Sequence, residues 1–345
     1  MSAVPLGPTT TPASVRTEFP TPVRAELVEA FGAGGRDFDK LSPNGVVGAQ
    51  GLSDRTLAWL FVGPTILLLL AFNIFPLIWT IWLSFTNFRA NRPGADVLWV
   101  GISNYSRVLN DESIWENMRA TAHFLTCSIT LQLLIGFGLA LMLNRRFRTH
   151  SFWSTAILLP MMLAPAVVGT FWKYFFEPQY GIFNYIVNFF GAPLGYTGSF
   201  TMLGDTQLSP WAIVLVDTWM WTPYVMLLLL AGLRSIPPYL YEAAEIDRAS
   251  EWTKFWRITL PMVMPFIILA VLFRVIENFK MFDLVDQLTN GGPGSVTELA
   301  SIKLKREAFE KWRTGYSSAL AIILFVAIYG LSLVTVRFLD RVKQR

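Results

Sequence analysis

The chain has 345 residues, of which 53% are hydrophobic and only 15% charged, against about 25% charged residues in an ordinary soluble domain, so a soluble globular protein of common composition is excluded. The formal charge of +4 comes from basic residues set between apolar blocks rather than along one stripe, which excludes nucleic acid as a partner. Those apolar blocks run to about 20 residues, the length at which a helix crosses a roughly 30 Å hydrocarbon core, and membrane lipid is the expected surrounding.

In chain order, residues 1–53 hold many Pro, Gly and Thr, mix both charge signs, and sustain no apolar period able to bury a face. A disordered N-terminal extension is expected there. Val23 to Ala30 is an amphipathic stretch too short to be stable as a helix alone, and no apolar h-region of a signal peptide is visible. Six spans are predicted: Leu57–Phe85, Arg119–Leu143, Phe152–Phe176, Trp211–Leu233, Met262–Phe282 and Ser317–Val336. The fold class is therefore all-α, a polytopic membrane protein of about six helices occupying residues 54–345. An even number of spans leaves both termini on one side. The link between spans two and three carries Arg145, Arg146 and Arg148, the tail carries Arg337, Arg341, Lys343 and Arg345, and the segment 177–210 has no Lys or Arg. By the positive-inside rule both termini face the cytoplasm. The segment after span five runs against the rule, with Lys303, Lys305, Arg306, Lys311 and Arg313. Its acids Glu298, Glu307 and Glu310 suggest a solvated amphipathic helix.

Pro64, Pro76, Pro160, Pro165 and Pro223 fall inside spans, where neighbours re-satisfy the freed carbonyls; packing irregularity and gating kinks both remain open for them. Trp59, Trp79, Trp82, Trp153, Trp172 and Trp211 lie near span ends and read as anchors at the headgroup level. Asp217, Arg274, Glu277 and Lys280 are charges inside spans, which usually face a bundle interior. Arg274 and Glu277, three apart, suit an internal salt bridge. A free Arg274 or Lys280 would instead favour an anionic solute, and Asn278 beside them suits a solute hydroxyl. Trp221 and Tyr224 share one helix face, where flat rings either stack on a sugar or pack in the core. The lone Cys127 reads as a small hydrophobe, and His123 and His150, far apart, form no metal or nucleophile arrangement.

Between spans four and five, Pro237 and Pro238 end the fourth span and a short helix follows, with Leu240, Ala243, Ala244 and Ile246 at three- and four-residue spacing. Glu242 and Asp247 offer carboxylates to a partner's cations. Periodicity leaves two readings, a docking helix or a plain connecting helix on the membrane surface. The residues Glu242-Ala243-Ala244, Asp247-x-Ala249 and Ile258-Thr259-Leu260-Pro261 resemble the EAA motif of ABC importer permeases, with Arg248 in the family's glycine position. A left-handed turn at an L-residue costs about 1–2 kcal/mol, so a continuous helix is expected at that joint. Leu83-Ser84-Phe85-Thr86-Asn87, Gly101-x-x-Asn104-Tyr105, Thr289-Asn290-Gly291-Gly292-Pro293 and Gly315-x-x-Ser318-Ala319 are similar to the maltose-type and glycerol-phosphate-type sugar permeases. So is Trp219-Met220-Trp221-Thr222-Pro223-Tyr224.

This resemblance implies the type I importer permease fold, in the bacterial cytoplasmic (inner) membrane, with a cytoplasmic coupling loop over 237–261. It implies that Glu242, Ala243, Ala244, Asp247, Ala249, Leu260 and Pro261 couple to an ATPase subunit. Trp221, Tyr224, Arg274, Glu277 and Asn278 would line the solute path. The implied partners are a second, homologous permease, a dimer of ATPase subunits, and a periplasmic or extracellular solute-binding protein. The implied solute is sugar-type: an oligosaccharide, neutral or anionic, or a sugar phosphate. The chain lacks a G-x-x-x-x-G-K-[ST] phosphate loop, so it is expected not to be an enzyme: no cofactor is expected in it, and ATP and Mg would be bound by the partner ATPase. The alternative, an ion-gradient-driven secondary transporter, would be marked by inverted repeats, which are not seen.

Overall fold

The computed structural model describes residues 53–343 except 93, 95, 146, 147, 195–197 and 199. Apart from Ser53, the expected disordered extension lies outside the described residues, as do Arg146 and Arg345. The chain divides into two compact units, Met1–Ala71 and Phe72–Arg345. In the first, helix α1 (Asp54–Leu69) is capped by Ser53, whose side chain accepts from Thr56 N at 3.3 Å. This satisfies one of the N–H groups that a helix start leaves unpaired.

The second unit holds α2 (Phe75–Ser84), α3 (Ser103–Leu109), α4 (Glu112–Asn144), α5 (His150–Leu158), α6 (Pro165–Phe175), α7 (Ile182–Gly191) and α8 (Ser209–Arg234). It continues with α9 (Pro238–Ile246), α10 (Glu251–Lys254), α11 (Leu260–Phe279), α12 (Asp283–Leu288), α13 (Ala300–Lys305) and α14 (Thr314–Lys343). Wider π-helical turns lie at Leu70–Ile74, Phe255–Thr259 and Arg306–Glu310. The only β pairing among the described residues is an isolated bridge between Thr86 and Trp99.

Among the described residues, five helices are long and apolar enough to cross a membrane: Arg55–Ser84, Glu112–Asn144, Ser209–Arg234, Glu251–Phe279 and Thr314–Arg341. The third predicted span is not one helix. It breaks into α5, a single 3-10 turn at Pro160–Met162, and α6. Leu163 and Ala164 are extended between them, at ψ of 147° and 136°. Pro165 disfavours the helical conformation at the residue before it, here extended, and opens α6 at its first position, where its missing N–H leaves no bond unmade.

The packing centres on α8, which lies against α4 along most of its length, with α11 against both and α14 against α11 and α2. Gly136 of α4 lets the two helices close up, since a Cβ there would meet Val225 at 3.1 Å and Met226 N at 3.2 Å. In a hydrocarbon solvent such close backbone approach supplies the dispersion contacts that the hydrophobic effect does not. α6 packs on α12 and joins α8 in one buried cluster. Trp172, expected as an anchor, belongs to that cluster through edge contacts to Phe175 and Trp219, whereas Trp59, Trp79 and Trp153 are exposed.

The motif residues outside the coupling loop are structural ties. Asn104 is buried and donates to the carbonyls of Ser84 (2.9 Å) and Thr86 (2.8 Å), and Tyr105 bonds Ser84 Oγ at 2.7 Å. Ser209, first in α8, donates to Gly292 O at 3.1 Å, and Arg306 donates to Asn290 O at 2.6 Å. The segment expected to be a solvated helix after span five is packed instead. Ala300, Ile302, Lys303 and Glu307 are buried, and the charges are paired. Glu307 takes Lys311 at 2.6 Å and Arg313 at 3.4 Å, Arg306 takes Glu298 at 2.8 Å, and Lys305 takes Asp286 at 3.1 Å. The hydrogen bond to Asp286 holds the Lys305 ammonium above its ordinary pKa, against a smaller opposing effect of burial.

Gly315 marks the tightest of these ties: a Cβ there would lie 2.1 Å from Thr86 O, a backbone atom with no side-chain freedom to yield. Gly315→Ala is expected to lower stability by about 1–3 kcal/mol, the usual range for overpacking, seen as an earlier thermal unfolding midpoint of the detergent-purified protein. An unchanged midpoint would show that α14 and the Thr86 turn part without cost.

Candidate functional site

Three helices converge on a buried polar cluster. Asp217 of α8 (0% exposed) faces Arg274 of α11 (1% exposed). Arg274 Nη2 donates to both carboxylate oxygens, at 3.0 and 3.1 Å, and also to Asn278 Oδ1. Gln132 of α4 closes the cluster: it accepts from Arg274 Nε at 2.8 Å and donates to Asp217 Oδ2 at 2.8 Å, while Asn278 Nδ2 donates to the same oxygen at 3.2 Å. A charge removed from water persists only when paired and hydrogen-bonded, and here each side chain answers another.

The predicted path residues divide on this geometry. Arg274 and Asn278 are neighbours in the cluster, and the Arg274 guanidinium lies 4.7 Å above the Trp221 ring. Trp221 meets Tyr224 edge-on at 6.3 Å. Glu277 is not among them. Its partner is Lys280, at 3.1 Å, with both side chains half-exposed, so the expected Arg274–Glu277 bridge does not form. Asn278, expected to be open to a hydroxyl, has its amide oxygen and nitrogen engaged by Arg274 and Asp217. Among these path residues, Nη1 of Arg274 and Nε1 of Trp221 are buried donors with no hydrogen-bond partner. Gln132, absent from the predicted site, was signalled only by an amide within an apolar span. Asp217 was visible as a charge in span four but had no local partner to suggest its role.

The loop expected to couple to an ATPase is built differently. α9 opens at Pro238, a residue suited to a first helical position, and none of its residues is buried. Glu242, Ala243 and Asp247 are exposed, as is Ile246, at 83%. Leu240 and Ala244 turn partly inward, and Tyr241 bonds Thr259 at 2.9 Å. The four apolar residues therefore do not share one face. The expected continuous helix at Arg248 is also overturned. Arg248 has φ of 54°, its N–H bonds Glu245 O at 3.0 Å, and Ala249 N–H bonds Ala244 O at 2.9 Å. That pair of bonds is a Schellman C-cap, which usually employs glycine. Ser250 then caps α10 by accepting from Thr253 N at 3.2 Å. Lys254, buried, bridges Glu245 (3.3 Å) and Glu251 (2.9 Å) across the turn, a tie that the resemblance did not indicate. Ala249 lies just past the turn, and Leu260 and Pro261 open α11 on the far side of the π turn.

Two outcomes follow from these contacts. Asp217→Leu leaves Arg274 buried and uncompensated and is expected to cost about 3–5 kcal/mol. The double substitution with Arg274→Met should cost less than the sum of the two single ones, as measured by monodisperse yield in size-exclusion chromatography and by melting. Strict additivity would show that the pair is not coupled. Arg248→Gly removes a left-handed L-residue, and its gain, offset by the greater chain entropy of glycine when unfolded, is expected at about 1 kcal/mol or less; a lower midpoint in the same melt would assign the Arg248 side chain a stabilising contact of its own.

Residues 132–345 match the family described as binding-protein-dependent transport system inner membrane component. The chain is 34% identical over 286 residues to the trehalose/maltose transport system permease protein MalF of Thermococcus litoralis, covering 81% of this chain and 92% of that protein. It is 31% identical over 293 residues to the sn-glycerol-3-phosphate transport system permease protein UgpA of Agrobacterium fabrum, covering 84% of this chain and 96% of that protein. A crystal structure of a bacterial ABC transporter involved in the import of the acidic polysaccharide alginate contains a chain with the same fold. Its TM-score is 0.71 at 22% identity, over 84% of this chain and 97% of that one. With its membrane-crossing helices and an exposed EAA loop between two of them, this chain belongs to the binding-protein-dependent inner membrane components of ABC importers, as a multi-pass permease subunit.

Proposed function

We propose that this permease carries a sugar-type solute, with a second permease, under power from a dimer of ATPase subunits that engages α9, and that it receives the solute from an external binding protein. The observation that carries this reading is the contrast around the loop. The helices on either side are packed, while α9 has no buried residue and presents Glu242, Ala243, Ile246 and Asp247 outward. An exposed carboxylate pair flanking an exposed apolar residue suits a cleft with cations on its rim. The Schellman turn and the Lys254 bridge then fix α9 against α10 and α11, so a push on the loop reaches Arg274 through continuous helix. Closure of the ATPase dimer would bias the spans between outward-open and inward-open states. ATP and Mg belong to the partner in this reading.

The solute path is assigned to Trp221, Tyr224 and the two unsatisfied donors, Arg274 Nη1 and Trp221 Nε1; Asn278 and Arg274 shape its wall, and Glu277 stands at its edge. Arg274 is neutralised by Asp217 and Lys280 by Glu277, which favours a neutral saccharide over an anionic one. The relative named for trehalose and maltose supports this choice. Cytoplasmic termini are supported by Arg145 and Arg148 beyond α4. The opposing loop weighs less, because its cations are paired within a packed segment.

Glu242→Lys and Asp247→Lys are each expected to reduce sugar uptake by roughly tenfold or more. Like charges across an interface cost several kcal/mol, and each 1.4 kcal/mol is a factor of about ten. Membrane abundance should stay unchanged. Wild-type uptake in both variants, measured with radiolabelled disaccharide in cells, would remove the docking role from α9.

A further inference from the structure

A polar cavity of about 550 Å³ lies apart from α9 and from the buried cluster, where α2 ends and α4 and α14 begin. It is lined by four arginines, Arg89, Arg92, Arg107 and Arg313. Arg313 is held by Glu307 at 3.4 Å. Arg89, Arg92 and Arg107 are exposed and have no ion pair among the described residues. Two carboxylates share the cavity wall, Asp96 and Asp111. Asp111 is already occupied: it accepts from Ser113 N (3.0 Å), Ser113 Oγ (2.7 Å) and Tyr316 Oη (2.9 Å). Burial raises its pKa, but the bonds from Ser113 and Tyr316 outweigh that and keep it below the usual carboxylate value. With Arg313 taken up by Glu307, Arg89, Arg92 and Arg107 still outnumber the two carboxylates, Asp96 and Asp111, three to two, and they present planar donor forks suited to phosphate oxygens.

Its position adds a second argument. Three candidate spans end or begin within a few residues of the lining, at Ser84, Glu112 and Thr314, which sets the arginines at the level of lipid phosphates rather than in hydrocarbon. Beside them Val97, Leu98, Trp99 and Ile102 are exposed. Aromatic and aliphatic residues next to a cationic cavity suit an acyl chain lying below a headgroup.

We propose that this cavity binds a phosphate-type oxyanion through Arg89, Arg92 and Arg107, carried by an anionic phospholipid headgroup or free in solution. The test uses the full chain in nanodiscs of phosphatidylcholine, with and without phosphatidylglycerol, and separately with sodium phosphate added to the phosphatidylcholine discs. Thermal unfolding is recorded for the wild type, for R89Q/R92Q/R107Q, for the single variant R107Q, and for R337Q/R341Q/K343Q, which removes the same three charges at the other end of α14, as a control. A rise of several degrees with phosphatidylglycerol that is lost in the triple variant, reduced in R107Q and kept in the control identifies the lipid as the source. The same pattern with sodium phosphate identifies a soluble oxyanion. Equal responses in wild type, R107Q and the triple variant, or no response to either probe in the wild type, would overturn the proposal.

Discussion

A carboxylate and a guanidinium shut away from water must be satisfied by each other and by the side chains around them, and in this protein that requirement joins three helices. Asp217, Arg274, Gln132 and Asn278 come from α8, α11 and α4 and bond only among themselves. A pair of this kind contributes little net stability relative to apolar packing, because desolvation offsets most of the attraction. Its effect is on register. Leucines facing one another across α4 and α8 tolerate a slide along the helix axis, whereas a bidentate contact to Asp217 does not. Trp221 stacks beneath the guanidinium and so takes its position from the same constraint.

The remaining polar features divide into ties and free surfaces. Asn104, Ser209 and Gly315 hold helix starts to backbone carbonyls of neighbouring turns and helix ends, contacts that a larger or differently shaped side chain could not make. The ion pairs of α13 keep a strongly charged segment folded against the bundle. α9 stands apart from both. It is anchored through Tyr241 and Lys254 and leaves Glu242, Asp247 and Ile246 open, as the docking role proposed for it requires.

Much of this fold was legible in the sequence for a simple reason: in hydrocarbon every backbone group must be bonded within its own segment, so each long apolar block becomes a helix. The third block departs because hydropathy counts apolar residues and is blind to the backbone restriction that Pro165 places on Ala164. The Arg274 partner was illegible for a related reason. Spacing on one helix points to Glu277, but the carboxylate that wins lies 57 residues away, on a different helix, and nothing local encodes that meeting. Arg248 shows the converse. The resemblance offered a glycine turn and the substitution argued against it, yet the Schellman bonds and the following Ser250 cap outweigh a left-handed penalty of about 1–2 kcal/mol. Lys303 is likewise buried against a partner that sequence does not place beside it, Ser113, 190 residues away, whereas the cations on Glu307, Lys303, Lys311 and Arg313, are its near neighbours in the chain.

The account stands on α9 being the surface through which a separate ATPase drives this permease. The most direct test is affinity purification of the tagged full chain in mild detergent, with mass spectrometry of the proteins that travel with it. Recovery of an ATPase and a second permease, with the ATPase lost when Glu242 and Asp247 are both reversed in charge, is the predicted result. Recovery of the chain alone over repeated preparations would contradict it.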